Sequence, residues 1–139
     1  CGQDEVKTVF IMADIDDFKQ VNDTYGHQQG DQYLRELGRI LAAVPKAKPF
    51  RFGGDEFCLL FRGKTVPEVK QACREIQDAF KKSGSNRHLR PLSISFGAAV
   101  FEKGFTAAEL MGRADEALYQ AKQKRGSFCL YEEERHFSE

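Results

Sequence analysis

The chain predicts an α+β fold, a mostly antiparallel central sheet covered by helices, and three observations carry that prediction. Residues 9–13, Val9-Phe10-Ile11-Met12-Ala13, form a continuous apolar run, the pattern of a strand buried on both faces. Two further apolar runs, residues 49–52 and 57–61, flank Gly53-Gly54. Paired glycines there read as a tight hairpin turn, because glycine takes positive φ without strain. Two capping boxes, Thr65-Val66-Pro67-Glu68 and Thr106-Ala107-Ala108-Glu109, announce helices.

Each element follows in order. Residues 8–13 are the central strand. A loop carrying Asp16, Asp17, Asn22, Asp23, Gly26 and Gly30 comes next, with at most a short helical turn. Leu34, Leu37, Leu41 and Val44 then recur at helical spacing until Pro45 stops the helix. The hairpin follows. The second helix places Val69, Cys73, Ile76 and Phe80 on one face. Residues 83–90, polar and glycine-containing, read as a loop. Residues 92–101 are rich in strand formers, and Gly97 there predicts a bulge or a close backbone approach. The third helix aligns Leu110, Ala114, Ala117, Leu118 and Ala121, and residues 128–131 form a last short strand. The expected order is β-α-β-β-α-β-α-β.

Residues 1–139 suit a single domain with one core. With 21 basic and 21 acidic residues the net charge is zero, so no global field favours nucleic acid or an anionic membrane, despite the basic run Lys122-Gln123-Lys124-Arg125. No apolar run approaches the ~20 residues of a membrane span. The polar start, Cys1-Gly2-Gln3-Asp4-Glu5, shows no signal peptide and reads as a cut from a longer protein. Cys1, Cys58, Cys73 and Cys129 form no C-x-x-C pair, and the three histidines share no ligand spacing with them. Reduced thiols in a cytosolic domain are expected, and a zinc site is not.

The chemistry concentrates in acids at two strand ends. Asp55 and Glu56 follow the glycine turn, and Asp14-Ile15-Asp16 ends the first apolar run. Carboxylates meeting over one cleft suit Mg²⁺ and, with it, nucleotide phosphates. No G-x-x-x-x-G-K-[ST] run is present, so this is not a P-loop.

Six blocks of sequence carry a resemblance: residues 14–19 (Asp14-Ile15-Asp16-Asp17-Phe18-Lys19), residues 21–27, Gly30-Asp31, residues 51–57 around Gly53-Gly54-Asp55-Glu56-Phe57, residues 93–97 and residues 114–122. In this order and spacing they resemble the GGDEF family, the diguanylate cyclase domains of bacterial signalling proteins, over nearly the whole chain. The resemblance implies a polymerase-palm, nucleotidyl-cyclase-like sheet with a GGDEF β-hairpin, and condensation of two GTP molecules into cyclic di-GMP with release of pyrophosphate. It implies that Asp14, Glu56 and the carbonyl of Ile15 bind Mg²⁺, with Mn²⁺ as a substitute. Asp55 is implied either as a base for the attacking 3′-hydroxyl or as a further metal ligand. Asn22 and Asp31 match guanine readers: an ionised aspartate accepts hydrogen bonds, and guanine offers N1–H and an exocyclic amine where adenine lacks the N1–H. The backbone N–H groups of Phe18 and Lys19 match a phosphate cradle, Lys19 and Lys122 phosphate-binding lysines, and Arg51 an arginine that steadies the acids or the phosphates.

Three departures stand out. The family's inhibitory Arg-x-x-Asp falls on Val44 and Ala47, so product inhibition through it should be lost. The arginine expected four residues after Lys122 is replaced by Gly126, and Arg125 comes one earlier, which alters the triphosphate clamp. The family's N-terminal block, with Leu-Thr and Asn-Arg, does not precede the first strand, which bears on nucleotide affinity more than on fold. The leading expectation is an Mg-dependent cyclase working across an antiparallel homodimer imposed by a sensory domain. It would be cytoplasmic or the cytoplasmic part of a membrane-anchored bacterial protein, with no nucleic-acid or membrane contact of its own. The alternative is a weak or inactive GTP-binding module that regulates a neighbouring domain; a cyclic di-GMP receptor is disfavoured by the missing inhibitory pair.

Overall fold

The computed structural model describes residues 5–51, 55–86 and 89–132. Among the described residues nine elements follow one another: β1 (Lys7–Ile15), α1 (Phe18–Tyr25), α2 (His27–Ala42), β2 (Ala47–Arg51), β3 (Glu56–Lys64), α3 (Val66–Asn86), β4 (Ile94–Val100), α4 (Ala107–Ala121) and β5 (Phe128–Leu130). The sheet runs β2-β3-β1-β4-β5, antiparallel throughout except for the β4–β5 pair. The predicted α+β class and mostly antiparallel sheet are therefore observed.

β1 lies at the centre, and its unbroken apolar run follows from having a helical layer on each face. Alternate residues of a strand point to opposite faces. Val9, Ile11, Ala13 and Ile15 join the core under α1, α2 and α3, with Leu37, Val69, Ile76 and Phe80. Phe10 and Met12 turn the other way and pack with Cys58, Leu110, Ala114 and Leu118 beneath α4. Pro49, which has no N–H to give a ladder, sits in β2 at the sheet edge, where its absence is tolerated.

Both capping boxes form. Thr65 N–H donates to Glu68 Oε1 at 2.8 Å and Glu68 N–H to Thr65 Oγ1 at 3.2 Å; at α4 the same reciprocal bonds measure 2.8 and 3.1 Å. Gly97 is a close approach and not a bulge, since the β1–β4 register runs through it unbroken. A methyl at Gly97 would overlap the backbone N of Leu118 and the carbonyl O of Ala114.

Two expectations are corrected. The loop expected after β1 is largely helical: α1 and α2 fill residues 18–42, separated only by Gly26 at φ 92°. Polar Asn22, Asp23 and Thr24 hide α1 from a propensity reading, and burial of Phe18 and Val21 against the core overrides it. The loop expected at residues 83–90 is shorter, because α3 continues to Asn86 with Gly84 buried beside the backbone of Leu89, Arg90 and Pro91. The Gly53-Gly54 turn lies outside the described residues, but the strands that it joins pair in hairpin register, Arg51 with Phe57 and Phe50 with Cys58.

Candidate active site at the strand ends

The antiparallel β1–β3 ladder sets Asp14 directly opposite Glu56. Directly paired residues share a sheet face, here the one that Met12 and Cys58 turn to α4. Asp55 stands one residue before Glu56, close enough to the Asp14 side chain to help raise its pKa. The last turn of α4 brings Lys122, whose ammonium lies 3.0 Å from Asp14 Oδ2 and 3.4 Å from Asp16 Oδ1. Three expected site acids and one expected lysine thus come together.

Asp14 has an unusual environment. Its Oδ1 is buried and has no hydrogen-bond partner among the described residues. Burial, then the neighbouring Asp55 carboxyl, outweigh the Lys122 cation and raise its pKa to about 7. Burial opposes the charge on Lys122, yet its pKa is held above the ordinary lysine value by Asp14 and Asp16 together. The asymmetry has a plain origin: Lys122 faces two carboxylates, whereas Asp14 faces one cation and a further acid.

Asp16, expected only as the second acid of the Asp14-Ile15-Asp16 pair and given no role of its own, proves to be the hub beneath the site. Only 3% exposed, it accepts from Ser93 Oγ at 2.6 Å, Ser95 Oγ at 2.7 Å, the Gly126 N–H at 2.9 Å and Lys122 at 3.4 Å. It ties the end of β1 to β4 and to the turn after α4. The alternation Ser93-Ile94-Ser95 was the available signal, since it puts two hydroxyls on one side of a strand.

The remaining expected residues divide. Asn22 lies within α1 and Asp31 in the second turn of α2, so neither is a loop or cap residue; the cap position of α2 is Gly26. Asn22 Oδ1 is buried and unpartnered among the described residues. It rests against Gly30, the neighbour of Asp31. Phe18 and Lys19 open α1, where first-turn N–H groups have no intrahelical acceptor. Arg125 Nε pairs with Asp17 Oδ2 at 3.0 Å. Arg51 faces the same way as Phe57, its guanidinium 5.4 Å from that ring centroid, on the sheet face opposite Glu56.

Among the described residues no three His, Cys, Asp or Glu side chains are gathered as a ready-made metal cage. The donor set still suits Mg²⁺, which takes one or two carboxylates and completes its shell with water and phosphate oxygens. An orphaned buried oxygen on Asp14, the residue paired with Glu56 across the ladder, is where such an ion would be satisfied.

Residues 1–127 match the family described as diguanylate cyclase, GGDEF domain. The chain belongs to the GGDEF domain family. It is 39% identical over 115 residues to the probable diguanylate cyclase DgcI of Escherichia coli, covering 81% of this chain and 25% of that protein. To the diguanylate cyclase DgcS of Shewanella oneidensis it is 38% identical over 114 residues, covering 81% and 38%. The chain thus spans well under half the length of these curated relatives. Among solved structures, the GGDEF domain of DgcB from Caulobacter crescentus, in complex with c-di-GMP, superposes with a TM-score of 0.82 at 30% identity over 91% of this chain and 78% of that one. The active GGEEF domain of a diguanylate cyclase from Vibrio cholerae gives 0.81 at 28% identity over 91% and 83%. No described helix of this GGDEF domain is long and apolar enough to cross a membrane.

Proposed function

We propose that this GGDEF domain is the catalytic unit of a diguanylate cyclase that condenses two GTP molecules into cyclic di-GMP. The observation that carries the reading is Asp14, an acid with a buried, unpartnered oxygen directly across the ladder from Glu56 and under the ammonium of Lys122. Such a constellation suits a divalent cation and a polyphosphate better than it suits a solvated surface. In each half-reaction a 3′-oxygen forms a bond to the partner nucleotide's α-phosphorus, the α–β bridging P–O bond breaks, and pyrophosphate leaves.

Asp14, Glu56 and the Ile15 carbonyl are the proposed holders of Mg²⁺, which when bound would neutralise charge building on the α-phosphate. Asp55, in contact with Asp14, is placed to take the 3′-hydroxyl proton or to complete the ion's shell. Lys122 exchanges its carboxylate contacts for phosphate oxygens, and the first N–H groups of α1, at Phe18 and Lys19, bind the distal phosphates. Asn22 and Asp31 read the guanine edge. Because one site holds one GTP, ring closure requires two domains facing each other in a homodimer.

A second reading, a domain that holds GTP and regulates a neighbour without turnover, draws on Arg125. That arginine is engaged by Asp17, which diverts it from a triphosphate. Site variants separate the two readings. In a domain fused to a dimerising coiled coil, Asp14→Asn and Glu56→Gln should each lower the rate of cyclic di-GMP formation at least about a hundredfold. Equal rates in parent and variants would refute the assignment of the acids.

A further inference from the structure

The buried glycines of this chain differ in what a methyl group in their place would meet. At Gly97 it would strike the backbone of α4, and at Gly84 it would make ordinary contacts with backbone atoms 3.6–3.8 Å away. Gly30 is different. A methyl there would overlap Asn22 Oδ1, with Asn22 Cγ at 3.0 Å and Phe18 Cζ at 3.3 Å, all of them side-chain atoms of α1.

Conformation does not explain this glycine. Gly30 lies inside α2, donates its N–H to the Gly26 carbonyl at 3.3 Å and does not have a left-handed φ. At such a position helix propensity favours alanine. A close approach of the α1 backbone does not explain it either, because the three nearest atoms to the vacant methyl position are side-chain atoms of Asn22 and Phe18. What fills the space is the Asn22 side chain, whose Oδ1 is buried and unpartnered. A buried amide oxygen without a donor is costly and is kept where a ligand supplies what the protein withholds.

We propose that Gly30 is a specificity-positioning residue: its missing side chain is the slot that holds the Asn22 amide in the orientation that reads guanine. This deepens the function proposed above and rests on Asn22 being a guanine reader. Gly30 touches no base itself. A methyl there pushes on the far end of a flexible side chain, so Asn22 rotates away while the helices stay in place. Asp31, one residue further along α2, keeps its carboxylate, so nucleotide binding weakens without vanishing.

The test is calorimetric titration of GTP, and separately ATP, in Mg²⁺ into the full chain as parent, Gly30→Ala, Asn22→Ala and the double variant, with thermal melting of each. Gly30→Ala should melt at or above the parent, bind GTP about tenfold more weakly and bind ATP unchanged. In the Asn22→Ala background, Gly30→Ala should add nothing, since its effect passes through that side chain. Parent-like GTP affinity in Gly30→Ala, full additivity of the two changes, or a melting point well below the parent would each overturn the proposal. Parent-like GTP affinity in Asn22→Ala, or no GTP binding by the parent, would instead overturn the guanine-reading role beneath it, and the proposal with it.

Discussion

Asp14 stands between a cation and a second acid, and its response to pH follows from that position. The folded protein holds its carboxyl near pKa 7, above the 3.8 of a free aspartate. Proton binding therefore favours the folded state. The stability this group contributes is fully present below about pH 4 and is lost as pH rises through about 7. Metal-free protein should accordingly lose thermal stability between about pH 4 and about pH 7, and Asp14→Asn should flatten that slope. Mg²⁺ held by Asp14, as proposed, would displace the same proton, so cation affinity should rise with pH across this window, with proton release visible as a buffer-dependent binding enthalpy. Asp16 makes a different demand. One of its oxygens takes the Gly126 N–H and the other takes Lys122, and neither donor can become an acceptor. Whichever way an amide is turned in Asp16→Asn, it faces one of them, so urea unfolding should show a loss of roughly 2–3 kcal/mol. The acid pair at 14 and 16 was legible as chemistry-bearing, but their division of labour was not. Alternation gives a strand's two faces, whereas the direction of a residue just past the strand end depends on β4 and α4, which are distant in sequence.

At the level of elements, the strands and capped helices were legible because their signals are local: a continuous apolar run, two turn glycines and two reciprocal caps. Helix α1 was not, because its polar residues 22–24 conceal two buried anchors, Phe18 and Val21, whose partners lie elsewhere in the chain. The contact between β4 and α4 is the tightest approach to backbone atoms that the glycines report. Gly97→Ala would press a methyl into the backbone of Leu118 and Ala114, which cannot swing aside as a side chain can. Chemical denaturation should show a loss of roughly 3 kcal/mol or more, with Lys122 displaced along with its helix. Thr106→Ala, which removes one half of the α4 capping box, should cost about 1 kcal/mol and leave the sheet intact. Similar losses for the two changes would mean that α4 does not depend on close approach at Gly97.

Over the whole molecule, the sheet divides the proposed work between its faces. The acids Asp14 and Glu56 and the ammonium of Lys122 stand on the α4 side, while Asn22 and Asp31 belong to α1 and α2, whose layer covers the other face. A sequence read alone identifies the residue types on each side. Which of them touch is a property of the closed sheet, and Arg51 shows the difference: four residues before Asp55 in sequence, it faces away from Glu56. The net charge is zero, so no overall field draws two copies together, and the proposed two-site turnover should depend on enforced proximity. The most direct measurement is therefore chromatography of the products formed from GTP and Mg²⁺ by the coiled-coil-fused domain, beside an Asp55→Ala, Glu56→Ala double variant. Cyclic di-GMP and pyrophosphate from the fused parent, and none from the variant, is the predicted result. GTP bound by the fused parent and recovered unchanged would contradict the cyclase account and leave a nucleotide-holding domain in its place.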